Sequence, residues 1–355
     1  KTAITVSGDS SYLFYDSSFK TGSLPNQTFV INGDLDADVQ TGAIAFDFKN
    51  VSGSLLNYVE NNLLDVQSGI TTINIGGTAF HAKNSTISID EVSKIQTGLS
   101  TGGIKLIGSD IFYAEKSIIN IDKNSSLDIT TDTYQKNQSH IANSSINLAA
   151  GNIISGSKNG QYGIGQENYA NTSVTLKNEG DIILTGSGTT GIYGNNTEIL
   201  NIGNITTGNS STGIFSSNNA KAVNTGNINF GNSGIGIYGI NTYGSTVSST
   251  YNKIDITMSA GTLTADGTTE AYGIFANNSK GDGYSNVNFS GGLIDLSKIS
   301  AMDRNKAVAV AVKDTDLKSA GDINTAENGI VFYINGGNTN ISGGTINLDK
   351  DNSIG

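Results

Sequence analysis

Apolar and polar residues alternate with a period of two through the middle of the chain. Ile182 and Leu184 are separated by one residue, and Ile228 and Phe230 repeat the same spacing. Because successive side chains of a β-strand point to opposite faces, this alternation predicts half-buried strands and not helices. Short stretches rich in glycine, asparagine and serine separate the strands, as expected of tight turns. The pattern therefore predicts an all-β protein built of short strands.

Two motifs recur along this strand pattern at a nearly constant step of about 22–23 residues. The first is Asn-x-Gly-x-Ile, and its copies begin at Asn178, Asn201 and Asn224. The second is Gly-Ile-aromatic-small, and its copies occupy residues 191–194, 213–216 and 236–239, with a further copy at 273–276 after a longer step. Degenerate copies extend towards both ends of the chain. Such regular self-similarity is typical of repeat architectures.

A step of this length has room for two or three strands of four or five residues with their turns. It is too short for a propeller blade or a helical repeat, so it predicts one rung of a parallel β-solenoid. Rungs stack about 4.8 Å apart, which places equivalent residues of successive rungs directly above one another. Two inward isoleucine columns are expected, one of Ile182, Ile205 and Ile228 and one of Ile192, Ile214 and Ile237.

Asparagine and glycine are expected to form columns of their own. Asn178, Asn201 and Asn224 should stack as amides, each side chain bonding the next and the backbone of the turn. The glycines two positions later, such as Gly203 and Gly226, should lie where the chain turns with positive φ or where a side chain has no room. The residue types that recur are therefore those that a stacked turn requires.

The whole chain, 1–355, is predicted to be one open-ended solenoid segment. Residues 151–355 carry the regular repeat, whereas 1–150 show strands with irregular spacing. A short helix is predicted at 54–66, where apolar residues fall near one face and Gly69 follows. The first residues lack the features of a signal peptide and the last stop in mid-pattern, so we expect a mature or excised segment.

Three loop insertions are predicted where the motif step lengthens, at 240–258, 278–290 and 297–306. Solenoids often carry their function on such insertions. The aromatic residues within them are the candidate partner-binding residues, although solvated loops are the simpler interpretation: Tyr243, Tyr251 and Tyr284.

Composition excludes several functional classes. The chain has 45 Gly, one Pro and no Cys, so disulfides, thiol nucleophiles and thiolate metal sites are excluded. Acidic residues outnumber basic ones 31 to 20, and the net charge of -11 opposes binding to a phosphate backbone. No apolar run is long enough to predict a membrane-spanning helix. Regularly spaced isoleucines argue against a disordered tract.

Candidate chemistry is sparse. His81 and His140 lie far apart in the sequence without a triad pattern, and the carboxylates are scattered. The acidic run at 34–38 places three carboxylates on one strand face, which suits either a hard cation or plain solvation. We therefore expect no enzyme, no metal and no cofactor. The aromatic residues of the second motif should point outwards and either bind a sugar or protein, or form a structural stack: Tyr193, Phe215, Tyr238 and Phe275.

The two motifs, in a glycine-, asparagine- and isoleucine-rich chain without cysteine, resemble the passenger region of type V autotransporters. The likeness is greatest to large fusobacterial outer-membrane adhesins and more distant to vacuolating-cytotoxin-like passengers. It covers residues 150–355 well and 1–150 loosely. The resemblance implies a right-handed parallel β-helix, displayed on the bacterial cell surface and anchored in the outer membrane through a C-terminal β-barrel outside this chain.

The resemblance further implies a virulence-associated adhesin that binds a surface protein or glycan of host cells or of other bacteria. The segment itself is expected to be monomeric and not to bind nucleic acid. Two alternatives remain open: a toxin-type passenger that self-associates, and a polysaccharide-acting enzyme. Light scattering would separate the first alternative from an adhesin, and turnover of acidic glycans would support the second.

Overall fold

The fold is described from a computed structural model of the chain. The structure describes the backbone of strands between residues 2 and 148, and side chains from residue 146 onwards except at 149, 152, 158, 166–174, 242–252, 279–284 and 301–305. The chain divides into two compact units, unit 1 being residues 1–161 with 179–181, and unit 2 being residues 162–178 with 182–355. Across the described ranges the regular elements are all β-strands. None of the described residues forms a helix long and apolar enough to span a membrane.

Unit 1 is built of strands that pair in parallel. Its strands are β1 (Thr2–Val6), β2 (Tyr12–Asp16), β3 (Phe29–Asn32), β4 (Leu35–Val39), β5 (Ile44–Lys49), β6 (Leu64–Ser68), β7 (Thr71–Lys83), β8 (Thr86–Ile89), β9 (Lys105–Glu115), β10 (Ile118–Ile121), β11 (Ser126–Ile129), β12 (Ile141–Ala142), β13 (Ser145–Leu148) and β14 (Ile153–Gly156). The largest sheet of this unit runs in the order β1-β4-β7-β9-β12.

The rungs of unit 1 are longer than the predicted repeat. Thr2 pairs with Leu35, and Leu35 pairs with Thr71, so both steps clearly exceed the step between the motif copies. The step from Ile118 to its partner Ser145 is also longer. The helix predicted at 54–66 falls mostly outside the described residues, and its last three residues are corrected to strand because they belong to β6. There the apolar residues alternate with a period of two.

Unit 2 consists of three parallel sheets, to which each rung contributes one strand apiece. The first sheet holds β15 (Tyr162–Glu167), β18 (Thr190–Asn195), β21 (Thr212–Ser217), β24 (Gly234–Ile240), β27 (Ala271–Asn277), β30 (Ala307–Lys313) and β33 (Ile330–Asn335). The second holds β16 (Thr175–Asn178), β19 (Glu198–Asn201), β22 (Lys221–Asn224), β25 (Asp255–Met258), β28 (Ser285–Phe289), β31 (Thr315–Ser319) and β34 (Thr339–Ile341). The third holds β17 (Asp181–Leu184), β20 (Asn204–Thr207), β23 (Ile228–Phe230), β26 (Thr262–Ala265), β29 (Leu293–Asp295), β32 (Asp322–Asn324) and β35 (Ile346–Asn347). The predicted parallel β-helix is confirmed.

Both predicted isoleucine columns are buried in the core. Ile192 pairs in register with Ile214, which pairs with Ile237. Ile205 pairs in register with Ile228 in the third sheet. All of these side chains are essentially inaccessible to solvent. Each rung thus adds a few apolar side chains to a thin continuous core, and burial against adjacent rungs is the main stabilising term.

The predicted asparagine column is also confirmed. Asn178 Nδ2 donates to Asn201 Oδ1 at 2.7 Å, and Asn201 Nδ2 donates to Asn224 Oδ1 at 2.7 Å. Asn201 Nδ2 also donates to the carbonyl of Gly203 at 3.2 Å, which ties the column to the turn. A Cβ on Gly226 would overlap the carbonyl oxygen of Gly203, so glycine is needed there for lack of room. The column is fully buried, where a polar group must be hydrogen-bonded to be tolerated.

The long motif steps arise from insertions between strands that otherwise stack in register. Ile237 pairs with Ile274, and Ile274 pairs with Val310, although both steps are much longer than those between the regular rungs. The predicted loops at 240–258 and 278–290 are shorter than expected, because β25 and β28 occupy their last parts. Those two strands bury alternate side chains, so they belong to rungs and not to loops. Within 297–306, Ser300 forms a bridge to Glu327 and residues 301–305 lie outside the described residues.

Candidate binding face

The outer face of the first sheet differs in chemistry from the outer face of the third. The third sheet presents mainly polar side chains, such as Thr206, Asn229 and Thr264. In the first sheet, the outward positions of four successive rungs are aromatic. We call these four residues the aromatic column: Tyr193, Phe215, Tyr238 and Phe275. Each is partly exposed, so this sheet offers solvent an apolar strip.

Parallel register places the rings of the aromatic column above one another. Tyr193 pairs with Phe215, Phe215 with Tyr238, and Tyr238 with Phe275. The ring centroids are 5.3, 4.9 and 5.3 Å apart along the column. The last two pairs are nearly parallel, with interplanar angles of 14° and 4°. Contacts of this kind contribute roughly 0.5–1.5 kcal/mol each beyond the area they bury.

The column therefore has a structural role, because each ring packs on the ring of the next rung. The rings of Phe215, Tyr238 and Phe275 stack face to face, whereas the ring of Tyr193 is tilted by 57° against that of Phe215. The stack predicted from the sequence is therefore confirmed.

Two further residues widen the apolar strip at the rungs of β24 and β27. Tyr272 packs beside Phe275, with ring centroids 5.8 Å apart, and it pairs in register with Ile235. Both Tyr272 and Ile235 are partly exposed. Each lies just before the glycine of the second motif, where the rungs of β18 and β21 carry threonine. The prediction of the site missed these positions, although the change from threonine to isoleucine and tyrosine is visible in the sequence.

An ion pair borders the strip. Lys306 Nζ lies 2.6 Å from Glu270 Oε1, and the Ser233 hydroxyl donates to Glu270 Oε2 at 2.9 Å. The hydrogen bond from Lys306, reinforced by that from Ser233, lowers the pKa of the Glu270 carboxyl below its usual value. Both partners are substantially exposed, so the pair adds little stability but fixes a charge beside Tyr272.

Burial raises the pKa of Tyr238 above its usual value of 10.0, and burial together with the charge of Glu270 raises the pKa of Tyr272. The folded state therefore favours the neutral phenols. Their contribution to stability is fully present below the pKa of an unfolded tyrosine, and it is lost as pH rises through the folded value.

The structure predicts a specific effect of alkaline pH on the strip. From about pH 9 upwards, the free energy of unfolding should fall less steeply with pH in Tyr238→Phe than in the original chain. The variant keeps the ring, but residue 238 can no longer ionise. Phe215 and Phe275 already occupy equivalent positions, so the ring should pack as before. Urea unfolding followed by circular dichroism over this range gives the comparison. Equal losses of stability in both proteins would contradict the prediction.

The three tyrosines predicted to bind a partner, Tyr243, Tyr251 and Tyr284, lie outside the described residues. The structure does show where two of the insertions begin. Asn241 and Asn278, directly after β24 and β27, are buried, and Asn241 Nδ2 donates to Asn278 Oδ1 at 3.3 Å. The segments that carry these tyrosines thus begin at the carboxyl ends of two adjacent strands of the first sheet. Those strand ends adjoin the widest part of the apolar strip.

The remaining chemical candidates are not brought together in the described part of the chain. Groups of three or more histidine and acidic side chains that could hold a metal ion are not found among the described residues. Asp36 and Asp38 alternate along β4, at register positions opposite Thr72 and Asn74. His81 lies in β7 opposite Tyr113, and His140 falls outside the described residues.

Comparison with known proteins found no match. No family model matches the chain, and neither a curated protein nor a solved structure matches it.

Proposed function

We propose that the chain is a surface-exposed segment of a secreted adhesin of the autotransporter passenger type. In this proposal the β-helix is a scaffold, anchored to the outer membrane by a region outside the chain. It displays insertions and one lateral face to a surface protein or glycan of host cells or of other bacteria. A β-helix can host many functions, so the surface chemistry of the site supports the proposal and the fold alone does not.

One observation carries the proposal: the outer face of the first sheet is apolar where insertions leave it. Ile235, Tyr238, Tyr272 and Phe275 form the broadest part of the strip, and two insertions begin at the adjoining strand ends. Contiguous exposed apolar surface is typical of an interaction site, whereas single exposed apolar residues are not. Aromatic residues at its centre are the side chains that most often dominate binding energy.

A binding experiment tests the proposal. The chain is screened against surface proteins and glycans of host cells and bacteria, and the best binder is titrated against variants. Tyr238→Ser with Phe275→Ser should weaken binding by at least about tenfold, as expected when aromatic anchors are removed.

The matched control removes apolar groups from a different face. Leu200→Ser with Val223→Ser changes two neighbouring, partly exposed residues on the outer face of the second sheet. This control should bind as the original chain does. Equal loss in both variants, with both folded by circular dichroism, would place binding elsewhere. The absence of any binder across the screen would contradict an adhesive role.

A further inference from the structure

Two tyrosines from adjacent rungs pack ring against ring in the first sheet of unit 2. Tyr162 begins β15, and Tyr193 lies in β18, the next strand of that sheet. Tyr162 pairs in register with Thr190, three positions before Tyr193. The ring centroids of Tyr162 and Tyr193 are 5.5 Å apart, and the ring planes are inclined by 28°. The two phenols therefore belong to different rungs but share one stacking contact.

Phenylalanine rings separate the other tyrosine of the aromatic column from this pair. The ring of Tyr193 contacts that of Phe215 in the following rung. Tyr238 then stacks between Phe215 and Phe275. Phenylalanine has no phenolic hydroxyl, so it does not form a phenoxyl radical under conditions that oxidise tyrosine. At this end of the column the tyrosine that stacks directly on Tyr193 is Tyr162.

The two phenols differ in their access to solvent. Tyr162 is 5% exposed, whereas Tyr193 is partly exposed. An oxidant in solution therefore reaches Tyr193, and the side chain of Tyr162 is shielded from the phenols of other chains. Holding two reacting groups in contact converts a bimolecular coupling into a step within one molecule. A radical on Tyr193 therefore meets Tyr162 before it meets a tyrosine of another chain.

We propose that Tyr162 and Tyr193 form an oxidative modification site. A one-electron oxidant, such as a haem peroxidase supplied with hydrogen peroxide, couples the two phenols into a dityrosine. The new bond joins β15 to β18 within one chain. The site is independent of the proposed adhesive role, because it requires the ring contact and no bound partner.

The electrons and protons of this step balance. Tyr193 gives one electron to the oxidant and one proton to water, and the resulting radical passes to Tyr162 by exchange of an electron and a proton across the stacked rings. A second oxidising equivalent then converts Tyr193 to a radical again. The two radicals combine through ring carbons next to the phenol oxygens, and a carbon–carbon bond replaces two carbon–hydrogen bonds. Two electrons and two protons leave in total, which reduces one hydrogen peroxide to two waters.

The bond would give the solenoid a covalent link that it otherwise lacks. The chain has no cysteine, so disulfides cannot join its rungs. A dityrosine between Tyr162 and Tyr193 closes a loop of the chain, and closing a loop restricts the unfolded state in the same way as a disulfide does. The oxidised chain should therefore unfold at a higher urea concentration than the untreated chain.

Peptide mapping after peroxidase treatment tests the proposal. The dilute, folded chain is oxidised briefly, and dityrosine fluorescence is followed over a range of chain concentrations. The rate per chain should not depend on concentration, because the coupling is intramolecular. Trypsin should then release peptide 159–177 linked to peptide 178–221, in which Tyr193 is the one tyrosine. In urea-unfolded chain the yield of this linked pair should fall sharply.

Three variants identify the tyrosines that react. Tyr162→Phe and Tyr193→Phe should each abolish the linked pair and the shift of the urea midpoint, because each keeps the ring and removes one phenol. The matched control is Tyr169→Phe, which removes the other tyrosine of peptide 159–177 and lies outside the described residues. It should cross-link as the original chain does. A linked pair that survives Tyr162→Phe overturns the proposal, as does an equal yield in unfolded chain or the absence of the link.

Discussion

Ile205→Asp is expected to lower the free energy of unfolding by about 4 kcal/mol or more, the range of the most damaging single substitutions. Ile205 is 1% exposed, pairs in register with Ile228, and lies in the core of the third sheet. Aspartate would bury a charge there without a partner and remove apolar contacts with adjacent rungs. Thermal and urea unfolding followed by circular dichroism measure the effect.

Ile202→Asp is the matched control for this substitution. Ile202 precedes Ile205 by three positions and is 45% exposed, so the same chemical change meets solvent instead of the core. Its effect should stay within about 0.5 kcal/mol, as is usual at exposed positions. If the two variants unfold alike, the inward register of the third sheet is wrong.

Asn201→Leu should destabilise the fold by about 2–4 kcal/mol, although leucine branches at the same carbon as asparagine and is more apolar. The substitution removes the acceptor of Asn178 Nδ2 and the donor to Asn224 Oδ1, both inside the core. It also removes the bond to the Gly203 carbonyl. A buried polar group that loses its partner costs about 1–3 kcal/mol, and more than one group is affected. Urea unfolding followed by circular dichroism measures the loss.

An exposed amide pair nearby provides the control, because it shows whether burial sets the stability cost of losing an asparagine hydrogen bond. Asn227 Nδ2 donates to Asn204 Oδ1 at 3.1 Å in the solvent-exposed part of the third sheet. Asn204→Leu should change stability by less than about 0.5 kcal/mol, because water replaces the lost partner. Equal costs for Asn201→Leu and Asn204→Leu would show that burial does not set the strength of the amide column.

The asparagine and isoleucine columns were predictable because residues one repeat apart in the sequence lie directly above one another in an in-register parallel stack. The constant step from Asn178 to Asn201 and on to Asn224 is enough to place one amide above the other. The same logic fails beyond Asn224, where the column continues as Met258 after a much longer step. The insertion between Asn224 and Met258 interrupts the repeat, so the sequence step no longer predicts which residues pair. In the fold, backbone pairing brings the two residues into register.

The candidate binding face was predictable only in part. The outward direction of Tyr238 and Phe275 follows from strand alternation, but the close stacking of their rings depends on the distance between rungs. The contribution of Ile235 and Tyr272 depends on the register of β24 with β27 across an insertion. The three tyrosines of the predicted loops carry no regular spacing, so the pattern offers no means of placing them.

The residue pattern alone was sufficient for the fold class, the length of a rung in residues 174–238, and the identity of the isoleucine and asparagine columns. These features are local, since each follows from strand alternation and a constant step between neighbouring copies. Three-dimensional stacking decided which residues share a rung across the long insertions and how the outward rings pack. Burial and pairing depend on the rung above and the rung below, and a linear pattern contains neither the spacing nor the presence of those neighbours.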